Sequence, residues 1–105
     1  MSSSGLIEEI KKLVWEDKII ISKHANARMV ERDVLADDIV NLILNGEIIE
    51  SYPDDFPCPS VLMFELLPRK PCHIVVAKCL DYLRIVTVYL PDEDEWINCK
   101  ERVLK

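Results

Sequence analysis

The apolar pattern of this chain changes period at Asn45-Gly46, and that change constrains the fold more than any other feature. Before it, apolar residues recur at helical spacing. After it, they come in short runs separated by turn residues. A chain of this kind builds its helices first and then its sheet, which is the order of an α+β domain.

Leu6, Ile10, Leu13 and Val14 recur every three or four residues, with Glu8, Glu9, Lys11 and Lys12 between them. They predict an amphipathic helix from about Leu6 to Glu16. Ile19-Ile20-Ile21 is β-branched and predicted extended. Ser22 offers a capping hydroxyl to a second helix over Lys23 to Arg32. In a third helix, Ile39, Val40, Leu42, Ile43 and Leu44 form the apolar face. Asp37 and Asp38 sit in its first turn, where the helix dipole favours anions. Gly46 stops it and is expected to take the left-handed conformation open to glycine.

Four strands are predicted beyond that stop: Glu47 to Tyr52, Val61 to Leu67, Cys72 to Cys79 and Leu83 to Tyr89. Pro53 to Pro59 is a loop, and Pro68-Arg69-Lys70-Pro71 is a turn. Short connections predict antiparallel neighbours. Asp92 and Glu95 have the spacing of a helix cap, so a short closing helix is expected, with Trp96 pinning it to the sheet. Trp15 reads as a second packing residue. The expected fold is therefore α+β: a four-stranded antiparallel meander with the N-terminal helices on one face and a short C-terminal helix.

With 105 residues, half of them hydrophobic, the chain is expected to be one domain with a core of its own. Residues 1–5, with the Ser2-Ser3-Ser4 run, are expected outside it. No apolar run approaches the ~20 residues that span a bilayer, and no signal peptide opens the chain, so the expected address is the cytoplasm. Four cysteines, Cys58, Cys72, Cys79 and Cys99, lack a C-x-x-C pair. They read as small buried hydrophobes rather than metal ligands. A net charge of -6 argues against a general nucleic-acid coat, which needs clustered cations. The acidic residues nevertheless concentrate in Asp37-Asp38, Asp54-Asp55 and Asp92 to Glu95, which leaves room for a local basic cleft.

The chemistry-bearing residues are few. His24, Arg28 and Glu31 fall at i, i+4 and i+7, one face of the second helix, with Arg32 one residue on. An imidazole beside a guanidinium can move a proton next to a phosphate. The plainer reading is an Arg28–Glu31 surface pair. His73 shares a strand face with Val75 and Ala77, which points either to a core histidine or to a second catalytic one. Strand alternation places Arg84 with Val86 and Val88, and Thr87 and Tyr89 with Ile85. Arg84 is a candidate phosphate ligand or an ordinary solvated charge; Tyr89 is a candidate proton donor or a packing residue. There is no P-loop, G-x-G-x-x-G, H-E-x-x-H or G-x-S-x-G motif, and the last absence argues against acyl hydrolysis.

The ordered set Ser22-x-His24-Ala25, Arg28-Met29-x-Glu31-Arg32, Asp38-Ile39, Asn45-Gly46, Tyr52-Pro53, Pro57-x-Pro59-Ser60, Lys70-Pro71-x-His73-Ile74-Val75, Thr87-Val88-Tyr89 and Pro91-Asp92 to Trp96 resembles the family known as domain of unknown function 4258. The resemblance runs from about His24 to Arg102. It implies kinship with RelE-like ribonuclease toxins, a type II toxin–antitoxin role, and a partner similar to the zinc-finger, helix-turn-helix antitoxin MqsA. Two positions depart from the family pattern: Asp33 stands for a glycine between helices, and Leu35 stands for a capping serine.

Two functions follow as expectations. The first is a metal-independent endoribonuclease toxin without cofactor. His24 and His73 would be its acid/base pair, Tyr89 a further proton donor or stacking residue, and Arg28, Arg32 and Arg84 its phosphate ligands. The second is a non-catalytic interaction module that binds a partner through its sheet. A zinc site built from His24, His73 and a cysteine is a third, fainter option.

Overall fold

The computed structural model describes residues 3–67, 70–92, 94–98 and 100–102. The elements run α1 (Ser3–Trp15), β1 (Ile19–Ile21), α2 (Lys23–Arg32), α3 (Ala36–Asn45), β2 (Glu47–Tyr52), β3 (Ser60–Leu67), β4 (Lys70–Lys78), β5 (Leu83–Tyr89), β6 (Trp96–Ile97) and β7 (Glu101–Arg102). The α+β order expected from the change of period is the one formed. α1 begins at Ser3, inside the stretch expected to lie outside the fold. The predicted turn at Pro68-Arg69 lies outside the described residues, as does Cys99.

Two expectations about the sheet are corrected. It has five strands in the order β1-β5-β4-β3-β2, and it is mixed. The extra strand is the Ile19–Ile21 run, which pairs parallel to β5 in the register Ile19↔Leu83, Ile20↔Arg84 and Ile21↔Ile85. Three residues cannot announce their partner, because alternation needs a longer run to register. The closing helix is also replaced. Asp92 accepts the backbone N–H groups of Glu95 and Trp96 through its carbonyl, but the chain then forms the two-stranded β6–β7 hairpin. The cap signal was present, and the turn it closed does not continue as helix.

α1, α2 and α3 cover one face. Ile10, Leu13, Ala25, Met29, Ile39, Leu42 and Ile43 meet Val61, Met63, Ile74, Val76, Ile85 and Val88 in a single apolar core. By alternation, Ser60, Leu62, His73 and Ala77 belong to the opposite face, yet all are buried. That face is covered by the chain itself, at one end by Trp96 and at the other by the proline-rich loop. Trp15, in contrast, is 76% exposed and packs nothing into the core.

A bulge in β5 changes its expected side-chain parity. Val75 pairs with Thr87 and Val76 with Ile85, so Val86 is the extra residue. Val88 therefore joins Leu83 and Ile85 in the core, while Arg84 and Tyr89 lie on the second face. The bulge is held from outside: the Ser22 hydroxyl donates to the Val86 carbonyl at 3.1 Å and accepts from the Ala25 N–H at 3.0 Å. One side chain thus caps α2 and fixes it beside β5.

The helix ends show which departures matter. Asp33 takes the left-handed conformation (φ 57°, ψ 47°), as aspartate can. Leu35 supplies no acceptor at the start of α3, and only the Asp38 carboxylate returns a bond, to the Leu35 N–H at 2.9 Å. Gly46 is not left-handed (φ −81°). It is glycine for lack of room, since a Cβ there would strike the carbonyl oxygens of Leu42 and Phe64.

Candidate functional site

The expected site divides between the two sides of the sheet. His24 is exposed in the first turn of α2, because Ala25 and Met29 take the buried face of that helix. Arg28 lies one turn on. Its Nη1 is 2.7 Å from Glu31 Oε2, so the i, i+3 pair expected as the plainer reading is formed. Its Nε is enclosed, with no acceptor among the described residues. Arg32 is half-buried in the last turn of the same helix. His24, Arg28 and Arg32 all stand on α2, on the helix-covered side of the sheet.

His73 does not join them. It has no exposed surface and stands in an aromatic nest on the second face. Trp96 lies 4.6 Å from it, Tyr89 5.1 Å and Phe64 5.7 Å between ring centroids, all edge to face. Tyr89 and Phe64 are its register partners on the two neighbouring strands. The cleft expected to hold both histidines is not formed, and a fully enclosed imidazole has no contact with a phosphodiester. Tyr89 is half-buried beside it, which makes it a wall of the nest. The face assigned to His73 by alternation was right. Its burial was not legible, because the cover is Trp96, 23 residues away in sequence.

The hairpin that carries Trp96 is tied down at its far side. Lys100 Nζ is 2.8 Å from Glu47 Oε1 and sits 6.0 Å from the centre of the Phe64 ring. The hydrogen bond to Glu47, and then its charge, raise the Lys100 ammonium above its ordinary pKa.

Arg84 occupies a third place. Its register partners are Ala77 and Ile20, so no cross-strand carboxylate faces it, and it has no ion pair among the described residues. It lines a cleft of about 130 Å³ with Asp55, Phe56, Ser60, Ala77 and Tyr82.

The reading of all four cysteines as buried hydrophobes is corrected for two of them. Cys58 and Cys79 form a disulfide that ties the proline-rich loop to the end of β4. Such bonds persist in oxidising compartments and are transient in reducing ones. Spacing alone carries no signal for a pair 21 residues apart. Cys72 is free and buried, as a small hydrophobe should be. Among the described residues no three His, Cys, Asp or Glu side chains converge, so the zinc arrangement of His24, His73 and a cysteine is not formed. No described helix is long and apolar enough to cross a membrane.

The architecture defines the class, a small α+β domain whose mixed sheet is covered by helices on one face and by a loop and a hairpin on the other. The family model for a domain of unknown function, DUF4258, matches residues 21–90, and the chain belongs to that family. The match spans the end of β1 through β5 and so contains the Ser22 latch, all of α2 and His73. Comparison with curated proteins and with solved structures gives no significant match.

Proposed function

We propose that this chain is an RNA-acting, RelE-like protein, the toxin half of a type II toxin–antitoxin pair, working through the outer face of α2. The observation that carries the reading is an exposed imidazole, His24, one helical turn from a guanidinium already oriented by Glu31. A 2′-hydroxyl attacking its neighbouring phosphate needs a base, and developing charge on the phosphate needs a cation. His24 takes the proton, and Arg28 and Arg32 bind the phosphate oxygens. His73 and Tyr89 leave the catalytic set and hold the sheet together. The proton for the departing 5′-oxygen then comes from water, since the second histidine is enclosed. The partner is a zinc-finger, helix-turn-helix antitoxin, which the family resemblance suggests.

The second reading is a non-catalytic module that docks on a protein. Phe56 (95% exposed) and Leu80 (87% exposed) favour it, because both lie within two residues of the Cys58–Cys79 bridge and leave apolar surface in water, as contact surfaces do. Expression without an antitoxin separates the two. Arrested growth with degraded RNA, relieved by His24→Ala and by Arg28→Ala at equal protein level, supports the first. Harmless wild-type protein with intact RNA removes it in favour of the second.

A further inference from the structure

We infer that the cleft between the proline-rich loop and β5 binds one guanylate nucleotide of single-stranded RNA. Ser60, Ala77 and Arg84 stand side by side on β3, β4 and β5. Neighbouring strands are ~4.8 Å apart, so Ser60 and Arg84 are separated by about 10 Å. The buried Ser60 hydroxyl donates to the Asp55 carboxylate, which holds that carboxylate at one end of the row. The Arg84 guanidinium marks the other end. Ala77, the residue between them, is small and leaves a floor.

The walls are aromatic. Phe56 and Tyr82 both line the cleft, and Phe56 is almost wholly solvated. An exposed ring is costly to leave in water and is a stacking platform for a base. The Phe56 loop is not slack, because Cys58, two residues on, is bonded to Cys79, and both cysteines line the same cleft. The ring is therefore presented by an anchored segment, which lowers the ordering cost of binding.

A carboxylate, aromatic walls and a guanidinium lining one cleft suit one ligand chemistry. Guanine offers two adjacent N–H donors on one edge, and a carboxylate is an acceptor only, with lone pairs left after the Ser60 bond. Its 5′-phosphate lies on the far side of the nucleotide, where the Arg84 guanidinium donates to two of its oxygens. A single built contact of this kind also suits a chain of net charge -6, which cannot hold RNA by a broad cationic surface.

The inference rests on the RNA reading for the source of the nucleotide, and its assay involves no cleavage, so each can fail alone. The purified chain with its disulfide intact is titrated with guanosine 5′-monophosphate, cytidine 5′-monophosphate and inorganic phosphate, followed by amide NMR shifts. The expected result is saturable shifts at Ala77, Tyr82 and Arg84 with the guanine nucleotide, and binding about tenfold weaker in Arg84→Ala. Asp55→Asn, which keeps an acceptor for Ser60, weakens guanine-nucleotide binding and leaves Arg84 contact with phosphate unchanged. Equal binding of the cytosine nucleotide, equal binding of bare phosphate, or no shift at these residues overturns it.

Discussion

The two histidines of this chain stand in opposite surroundings. His24 is on an exposed helix among charges; His73 is sealed among three aromatic rings with no surface left. Both belong to the stretch matched by the family model, so membership alone does not separate their roles. Accessibility does. A side chain that meets substrate must be reachable, and a side chain that organises a sheet must be packed. Under the proposed function His24 carries the chemistry on one side, while His73 packs the sheet on the other.

The largest expected effect breaks that contrast from the buried side. His73→Ala opens a cavity between Trp96, Tyr89 and Phe64 and should cost about 2–4 kcal/mol in urea unfolding. His24→Ala should change stability by less than about 0.5 kcal/mol while removing growth arrest. A stable His73→Ala protein beside an unfolded His24→Ala protein would reverse the assignment.

Ser22→Ala tests the support of the exposed side. It removes the α2 cap and leaves the bulge carbonyl of Val86 without its hydroxyl, so a loss of about 1–2 kcal/mol is expected. Hydrogen exchange should quicken across α2 and leave the His73 nest protected. Uniform quickening would show that the two regions open together. Leu35→Ser sharpens the comparison in the opposite direction. It completes the cap that Asp38 now makes from one side only, and should raise stability by about 0.5–1 kcal/mol in the same urea experiment.

The smallest effect concerns the hairpin over His73. Lys100 is raised by Glu47, so its contribution is fully present below the lysine pKa of the unfolded chain. It is lost as pH climbs through the higher folded value. Lys100→Met should therefore loosen the nest at neutral pH and make no difference once the wild-type ammonium has deprotonated. Trp96 emission in a Trp15→Phe background reads this directly, since Trp15 is otherwise the solvated tryptophan.

Much of the architecture was legible because it is local. The limits of α2, β2 and β5 follow from capping, periodicity and turn residues within a few positions. The β1–β5 pairing was not, because three isoleucines carry no address. The bulge at Val86 was not, because alternation assumes regular pairing, and one inserted residue sent Val88 to the core. For the site, the α2 cluster was readable from spacing alone. The Asp55–Phe56–Tyr82–Arg84 cleft was missed, since its members come from two loops and a strand that only the disulfide and the sheet bring together.

By itself, the sequence determined the helix-then-strand order, the placing of His24, Arg28 and Glu31 on one helical face, and the face of the sheet to which His73 belongs. These depend on neighbours one turn or one pleat away. The tertiary structure alone decided which histidine meets solvent. Burial is set by whatever packs on top, and here the cover is Trp96, held in place by a hairpin that local signals had marked as a helix.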